Sequence, residues 1–115
     1  MGRDDSTSRT EIPPGTLYML ILKTLMCLGP MHGYGIAQHI QQTSEDVLQV
    51  EEGSLYPALQ RMLIKGWVTA EWGQSENNRR ARYYRLTPAG NKQLTLEISE
   101  FEKVMRAITR VIQPA

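Results

Sequence analysis

From Leu94 to the end of the chain, apolar residues recur at Leu94, Ile98, Phe101, Met105, Ile108 and Ile112. The steps are four, three, four, three and four, the heptad seam of a coiled coil sustained for almost three repeats. A helix with so narrow an apolar stripe must lay it against another helix. That partner is either the chain's own core or a second copy. Helix start signals precede the seam: Thr87 as cap and Pro88 at the first helical position.

Upstream, the punctuation divides the chain into short elements. Pro13-Pro14-Gly15 precedes Thr16, a predicted N-cap for a helix over Leu17–Leu28 that Gly29-Pro30 ends. This helix is apolar nearly all round, with Leu17, Ile21, Leu25 and Leu28 on one side and Tyr18, Leu22 and Met26 on another. Such a helix needs cover on more than one side, and a second chain could supply it. A second helix is predicted over Gly33–Thr43, with Ile36, Ala37 and Ile40 inward. A connecting segment holds Leu48 and Val50. A third helix is predicted from Leu55 to about Lys65, capped by Ser54, with Pro57 in its first turn and Gly66 as its stop. Its buried stripe is Leu55, Leu59, Met62 and Leu63. Tyr56, Pro57, Gln60 and Arg61 share the solvent side. Two strands, Trp67–Trp72 and Arg80–Leu86, flank the polar turn Gln74–Asn78 and form a hairpin.

The order is helix, helix, helix, hairpin, helix. The fold class is therefore mainly α with a small β-hairpin: a winged helix-turn-helix followed by a long C-terminal dimerisation helix. The expected division is a flexible tail over 1–12, a winged-helix unit over 13–87 and the dimerisation helix over 88–115.

Charge points to a partner. The 115-residue chain has a formal net charge of only +1. Between Gly53 and Lys92, however, seven basic residues face two acidic ones, a local net of +5. Four of these are Arg79, Arg80, Arg82 and Arg85. A guanidinium stays charged and presents a planar fork suited to phosphate oxygens and guanine edges. Charge also protects sheet edges, but edge protection usually mixes signs. An anionic partner explains the single sign better. Arg85 lies deeper and is expected to pair with Glu71 across the hairpin.

Other chemistries fit less well. The lone Cys27 sits among Leu25, Met26 and Leu28, which suggests a small buried hydrophobe in a reducing, cytoplasmic setting. No membrane span is expected, because Leu17–Leu28 is short of the about 20 residues required and Lys23 interrupts it. An apolar signal core is lacking at the start. His32 and His39 have no Cys or carboxylate at ligand spacing, so a structural or backbone-pairing role for His32 is favoured over a metal site. Ser54 is explained as a cap without any nucleophile–base pair. Neither enzymatic activity nor a cofactor is expected. Tyr83, Tyr84, Trp67 and Trp72 alternate within the strands as hairpin packing would require.

Several segments, in this order and spacing, resemble the PadR-like winged-helix transcriptional regulators of bacteria. They are His32-Gly33-Tyr34-Gly35-Ile36, Gly53-Ser54-Leu55-Tyr56-Pro57-Ala58-Leu59 with Arg61, Gly66-Trp67-Val68, Glu71-Trp72, and Arg82-Tyr83-Tyr84-Arg85-Leu86-Thr87-Pro88-Ala89-Gly90. The single C-terminal helix is similar to that of the shorter members, which dimerise through one long helix. Ala81 stands where many relatives carry a basic residue. The C-terminal helix has no tryptophan, leaving Phe101 as its aromatic.

The resemblance implies a homodimeric repressor that reads a palindromic duplex and is released by a small-molecule effector or another signal. The expected DNA-facing residues are Tyr34, Ser54, Tyr56, Pro57, Gln60, Arg61, Lys65, Arg79, Arg80 and Arg82. The expected dimer contacts are Leu17, Ile21, Leu94, Ile98, Phe101, Met105, Ile108 and Ile112. Two other readings compete. A single-strand-binding module would turn Tyr83 or Tyr84 outward as a stacking platform. A protein-interaction adaptor would use only the C-terminal seam.

Overall fold

The computed structural model describes residues 10–13 and 15–113. The elements run β1 (Thr10–Glu11), α1 (Leu17–Leu28), β2 (Met31–His32), α2 (Gly33–Thr43), β3 (Leu48–Gln49), α3 (Glu52–Ile64), β4 (Val68–Gln74), β5 (Arg80–Leu86) and α4 (Pro88–Ile112). Three helices precede the hairpin and one follows it, as the sequence predicts. The hairpin belongs to a three-stranded antiparallel sheet of order β2-β5-β4. The added strand pairs Met31 with Tyr84 and His32 with Tyr83. Thr10–Glu11, expected within a loose tail, instead pair in parallel with β3. Residues 1–9 lie outside the described residues.

Local chemistry sets the boundaries. Gly29, at φ 82°, ends α1 and donates its N–H to the Leu25 carbonyl. The His32 ring Nδ1 accepts the Gly35 N–H at 3.0 Å and so caps α2, the structural role expected of it. Thr16 occupies the N-cap position of α1, but its hydroxyl donates backward to the Pro13 carbonyl at 2.8 Å instead of capping.

Helix α3 starts three residues earlier than predicted. Glu51 takes the extended cap conformation and Glu52 sits in the first turn, where a carboxylate suits the positive end of the helix dipole. Ser54 is therefore inside the helix and not its cap, and Pro57 lies in the second turn. The helix closes with paired bonds from Gly66 N–H to Leu63 and from Trp67 N–H to Met62, Gly66 being at φ 77°.

The core gathers one stripe from each helix: Met19, Ile21, Leu22 and Leu25; Ile36 and Ile40; Leu55, Ala58, Leu59 and Met62; and Leu94, with Val68 and Tyr84 from the sheet. Each large aliphatic fully enclosed here contributes about 1.5–3 kcal/mol by leaving water.

Helix α1 is thus covered largely by its own domain, and only its outer side is left bare. Ile21 is 0% and Leu94 2% exposed, so neither has surface left for a dimer contact. Leu17 and Ile98 are partly buried against the same core. Cys27, expected to be buried, is exposed on that outer side with Met26 and Leu28. It lies one helical turn from the exposed Lys23.

Beyond Ile98 every described residue of α4 is exposed. The helix therefore leaves the domain carrying Phe101, Met105, Ile108 and Ile112 uncovered, with Val104 and Val111 beside them.

At the root of α4, Gly90 is buried against the Trp67 main-chain carbonyl, where a Cβ would collide with backbone and with the Leu86 side chain. Gly90→Ala is accordingly expected to lower stability by about 1–3 kcal/mol in urea unfolding. Lys92→Ala, nearby on the exposed surface, should change it by less than about 0.5 kcal/mol.

Candidate nucleic-acid interface

Pleating sorts the hairpin into two faces. Gln74 lies opposite Arg80, Trp72 opposite Arg82 and Ala70 opposite Tyr84, so these six residues share one face. Tyr84 is buried at the root of that face, and Arg80 and Arg82 are exposed toward its tip. The turn between the strands is closed by the Ser75 N–H donating to the Arg79 carbonyl, with Asn78 in the left-handed conformation at φ 60°. Arg85 turns to the opposite face. It stands across from Thr69, while Glu71 stands across from Tyr83, so the two residues are diagonal and the expected ion pair between them is not formed.

The arginine face looks across a cleft of about 550 Å³ toward α2 and α3. Tyr34 and Gln38, one helical turn apart on α2, and Tyr56 on α3 form the opposite wall. Arg79, Arg80, Arg82 and Trp72 line the wing side, with Glu76 the one acid among the lining residues. Tyr34, 67% exposed, lies at its rim with its ring stacked on that of His32, centroids 6.5 Å apart.

Tyr56 is more constrained. Its ring lies so close to Gly33 that a Cβ there would come within 2.8 Å of a ring carbon. Partial burial first, then the Glu52 carboxylate and Tyr84, raise its phenol above the usual tyrosine value. The group is therefore neutral at physiological pH and offers a hydroxyl donor. Because the folded state holds this proton more tightly, the associated stability is present below the ordinary tyrosine value. It disappears as pH rises through the raised one.

The exposed residues of α3, Tyr56, Pro57, Gln60 and Arg61, form one broad solvent side opposite the buried Leu55, Ala58, Leu59 and Met62, as the sequence predicts, but its two flanks look into different hollows. Successive helical residues diverge by about 100°. Tyr56 looks into the wing cleft. Ser54, Pro57 and Arg61 line a separate hollow bounded by Ile12, Leu17, Tyr18 and Val50. Gln60 is exposed one turn beyond Tyr56. Lys65, at the far end of α3, holds its ammonium 5.3 Å from the Trp67 ring centroid, away from the cleft. The structure thus brings together Tyr34, Tyr56, Arg79, Arg80 and Arg82, and separates them from Ser54, Pro57, Arg61 and Lys65.

Gln38 and Trp72 are among the cleft residues absent from the set expected on sequence grounds. Gln38 is legible only as an outward residue four positions after Tyr34. Trp72 is expected to pack within the hairpin, yet it is 59% exposed, with the Arg80 guanidinium 4.6 Å from its ring centroid. The other aromatics do pack. Trp67 meets Tyr18 edge-on at 5.6 Å. Tyr84 is buried, and the Tyr83 hydroxyl donates to the Gln74 carbonyl at 2.9 Å. The outward platform that a single-strand reading requires of Tyr83 or Tyr84 is not formed.

Comparison with known proteins places this geometry. The sequence pattern of the transcriptional regulator PadR-like family matches residues 21–96. The chain belongs to that family. An uncharacterised protein of Lysinibacillus sphaericus is 30% identical over 100 residues, 87% of this chain and 91% of its own. A transcriptional regulator from Clostridium thermocellum superposes with a TM-score of 0.79 at 27% identity, over 86% of this chain and 95% of that one. A PadR family transcription regulator from Clostridium difficile gives a TM-score of 0.71 at 27% identity, over 84% of this chain and 98% of that one. The PadR pattern runs from the core of α1 through the wing into the buried part of α4. Among the described residues no helix is long and apolar enough to cross a membrane.

The Gly33–Tyr56 contact makes a direct test of how the cleft is built. Gly33→Ala should push the half-exposed Tyr56 ring aside at a cost of about 1 kcal/mol or less. Adding Tyr56→Ala removes the colliding ring, so in urea unfolding the double variant should be more stable than the sum of the two single losses.

Proposed function

We propose that this PadR-like protein is a dimeric, cytoplasmic repressor that binds palindromic duplex DNA and is released by a ligand or another signal. The observation that carries the DNA reading is the cleft, in which three arginines of the wing face the exposed polar and aromatic side chains of α2 and α3. In this reading residues 13–87 are the DNA-binding unit and 88–115 the dimerisation helix.

Tyr56 and Gln60 enter the major groove, where glutamine pairs well with adenine. Tyr34 and Gln38 flank them at the rim. Arg79, Arg80 and Arg82 reach phosphates or the neighbouring minor groove. Ser54, Pro57 and Arg61 lie on the other flank of α3 and meet the opposite backbone strand. Lys65 contributes to the general field. None of this requires catalysis.

Dimerisation uses the uncovered part of α4: Phe101, Met105, Ile108 and Ile112. A second copy is the natural cover, because a seam in step with itself can pair with itself. Two recognition helices about 34 Å apart would then address successive turns of one DNA face. An effector acts by binding one dimer geometry better than the other and so shifting the population from the DNA-competent state. The adaptor reading shares the seam but assigns the arginine cleft no role.

Salt dependence separates these readings. Arg80→Ala and Arg82→Ala should each reduce the slope of log affinity against log salt by about 0.9 for every phosphate left without its arginine, on cognate and non-cognate duplexes alike. Gln60→Ala should instead relax the preference at particular base pairs by about 1–3 kcal/mol, measured by selection from random duplexes. Unchanged slopes in the arginine variants would overturn the assignment of the wing.

The dimer is tested at Ile108, which is exposed in the protomer and so can be changed without disturbing its core. Ile108→Asp should sediment as a folded monomer and bind its operator about 100-fold or more weakly, because the half-sites are no longer engaged together. A wild-type monomer that still binds a palindrome tightly would contradict the proposal.

A further inference from the structure

The wing holds an exposed tryptophan that the fold does not use. Trp72 lies on β4, an edge strand of the sheet, and is 59% exposed on the cleft face. It takes no part in the core cluster. Its cross-strand partner is Arg82, and its diagonal neighbour on the same face is Arg80. The Arg80 guanidinium carbon stands 4.6 Å from the Trp72 ring centroid, and that of Arg82 stands 6.0 Å from the Tyr84 ring. Two like charges at successive positions of one face are thus each seated over a separate aromatic ring.

This arrangement suits a guanidinium in a particular way. Arginine can use its flat face against an indole while its N–H edge stays free to donate. A long side chain that must be immobilised on binding loses rotamer freedom at that moment, and one already held loses less. Resting on the duplex-binding reading above, the geometry points to Trp72 as a positioning residue: it holds Arg80 across the cleft, pre-aimed at a DNA phosphate. Trp72 acts through Arg80 and reads no base itself. The contact is set by β4–β5 register, so the aim of Arg80 is part of the wing's own geometry and not something the DNA must impose.

A double-mutant cycle on duplex affinity tests this. The probe is a fluorescein-labelled duplex of mixed sequence at one low salt concentration, with urea midpoints measured on the same proteins. Trp72→Ala is expected to bind about threefold to tenfold more weakly, the range that follows from freeing one long side chain. Trp72→Phe, which keeps a ring under the guanidinium, should fall between wild type and Trp72→Ala. In an Arg80→Ala background, Trp72→Ala should have no further effect. Additive losses, or a Trp72→Ala protein that binds like wild type, would overturn the inference. So would a Trp72→Phe protein as weak as Trp72→Ala. If Trp72→Ala does not fold, Arg80→Lys makes the same cut from the other partner. It keeps the charge and removes the flat face, and should bind about threefold or more weakly; equal affinity overturns the inference. Wild-type protein that binds no duplex overturns both this and the reading beneath it, whereas wild-type binding with an indifferent Trp72 removes only the inference.

Discussion

One residue, Thr87, ties the winged-helix part of this protein to its C-terminal helix. Its hydroxyl donates to the Gly66 carbonyl at 2.7 Å and accepts the Gly90 N–H at 3.0 Å. Its own N–H donates to the Trp67 carbonyl at 3.1 Å. The residue that follows β5 therefore grips the residues that follow α3 and, by the same oxygen, caps α4. Gly90 permits the close approach, since any side chain there would meet the Trp67 backbone. The end of α3, the wing and the C-terminal helix all take their direction from this knot. On the proposed reading, a dimer along α4 would therefore fix where each α3 points.

The burial of α4 changes abruptly along its length, and the change splits a single regular seam in two. Its first positions, Leu94 and Ile98, complete the protomer's own core, and beyond them the seam is exposed. A helix of 25 residues is about 37 Å long. The small domain packs only against its first turns. By sequence the two possible covers for the seam are alternatives; the structure divides the seam between its own core and a surface left open.

Periodicity makes most of this legible, and its limits mark what the sequence hides. The stripes of α2, α3 and α4 are long enough to reveal their buried sides, and the glycines and prolines between elements are strong stops. Strands β1, β2 and β3 have two residues each, too few to show any alternation. The start of α3 is hard to place because Ser54 is a better cap by residue type than Glu51. The extended conformation of Glu51 decides otherwise. Ile21 looks like a dimer contact only because α1 is apolar nearly all round; α2, α3, α4 and the sheet cover the side that carries Ile21 and leave Met26 and Leu28 exposed. Trp72 and Cys27 mislead for a related reason. Composition says that such residues are usually inside, whereas exposure depends on which strand is at the edge and which helical side is left bare.

The cleft owes its shape to one of the shortest elements in the fold. Strand β2 runs directly into α2, and its two residues are bonded to Tyr83 and Tyr84 of β5. His32 is the second of them, and its ring caps the helix that carries Tyr34. The same ring meets Tyr83 edge-on at 5.3 Å. The start of α2 is thus held to the wing strand through main-chain bonds, a side-chain cap and an aromatic contact within three residues. Tyr34 on one wall and Arg82 on the other flank the ladder pairing His32 with Tyr83. Their separation is set by that ladder and not by loop conformation. α3 joins the same wall through Tyr56 on Gly33, the first residue of α2. A groove whose two walls are joined at the root in this way can present its arginines and tyrosines in one fixed spacing, as recognition of a regular polyanion requires.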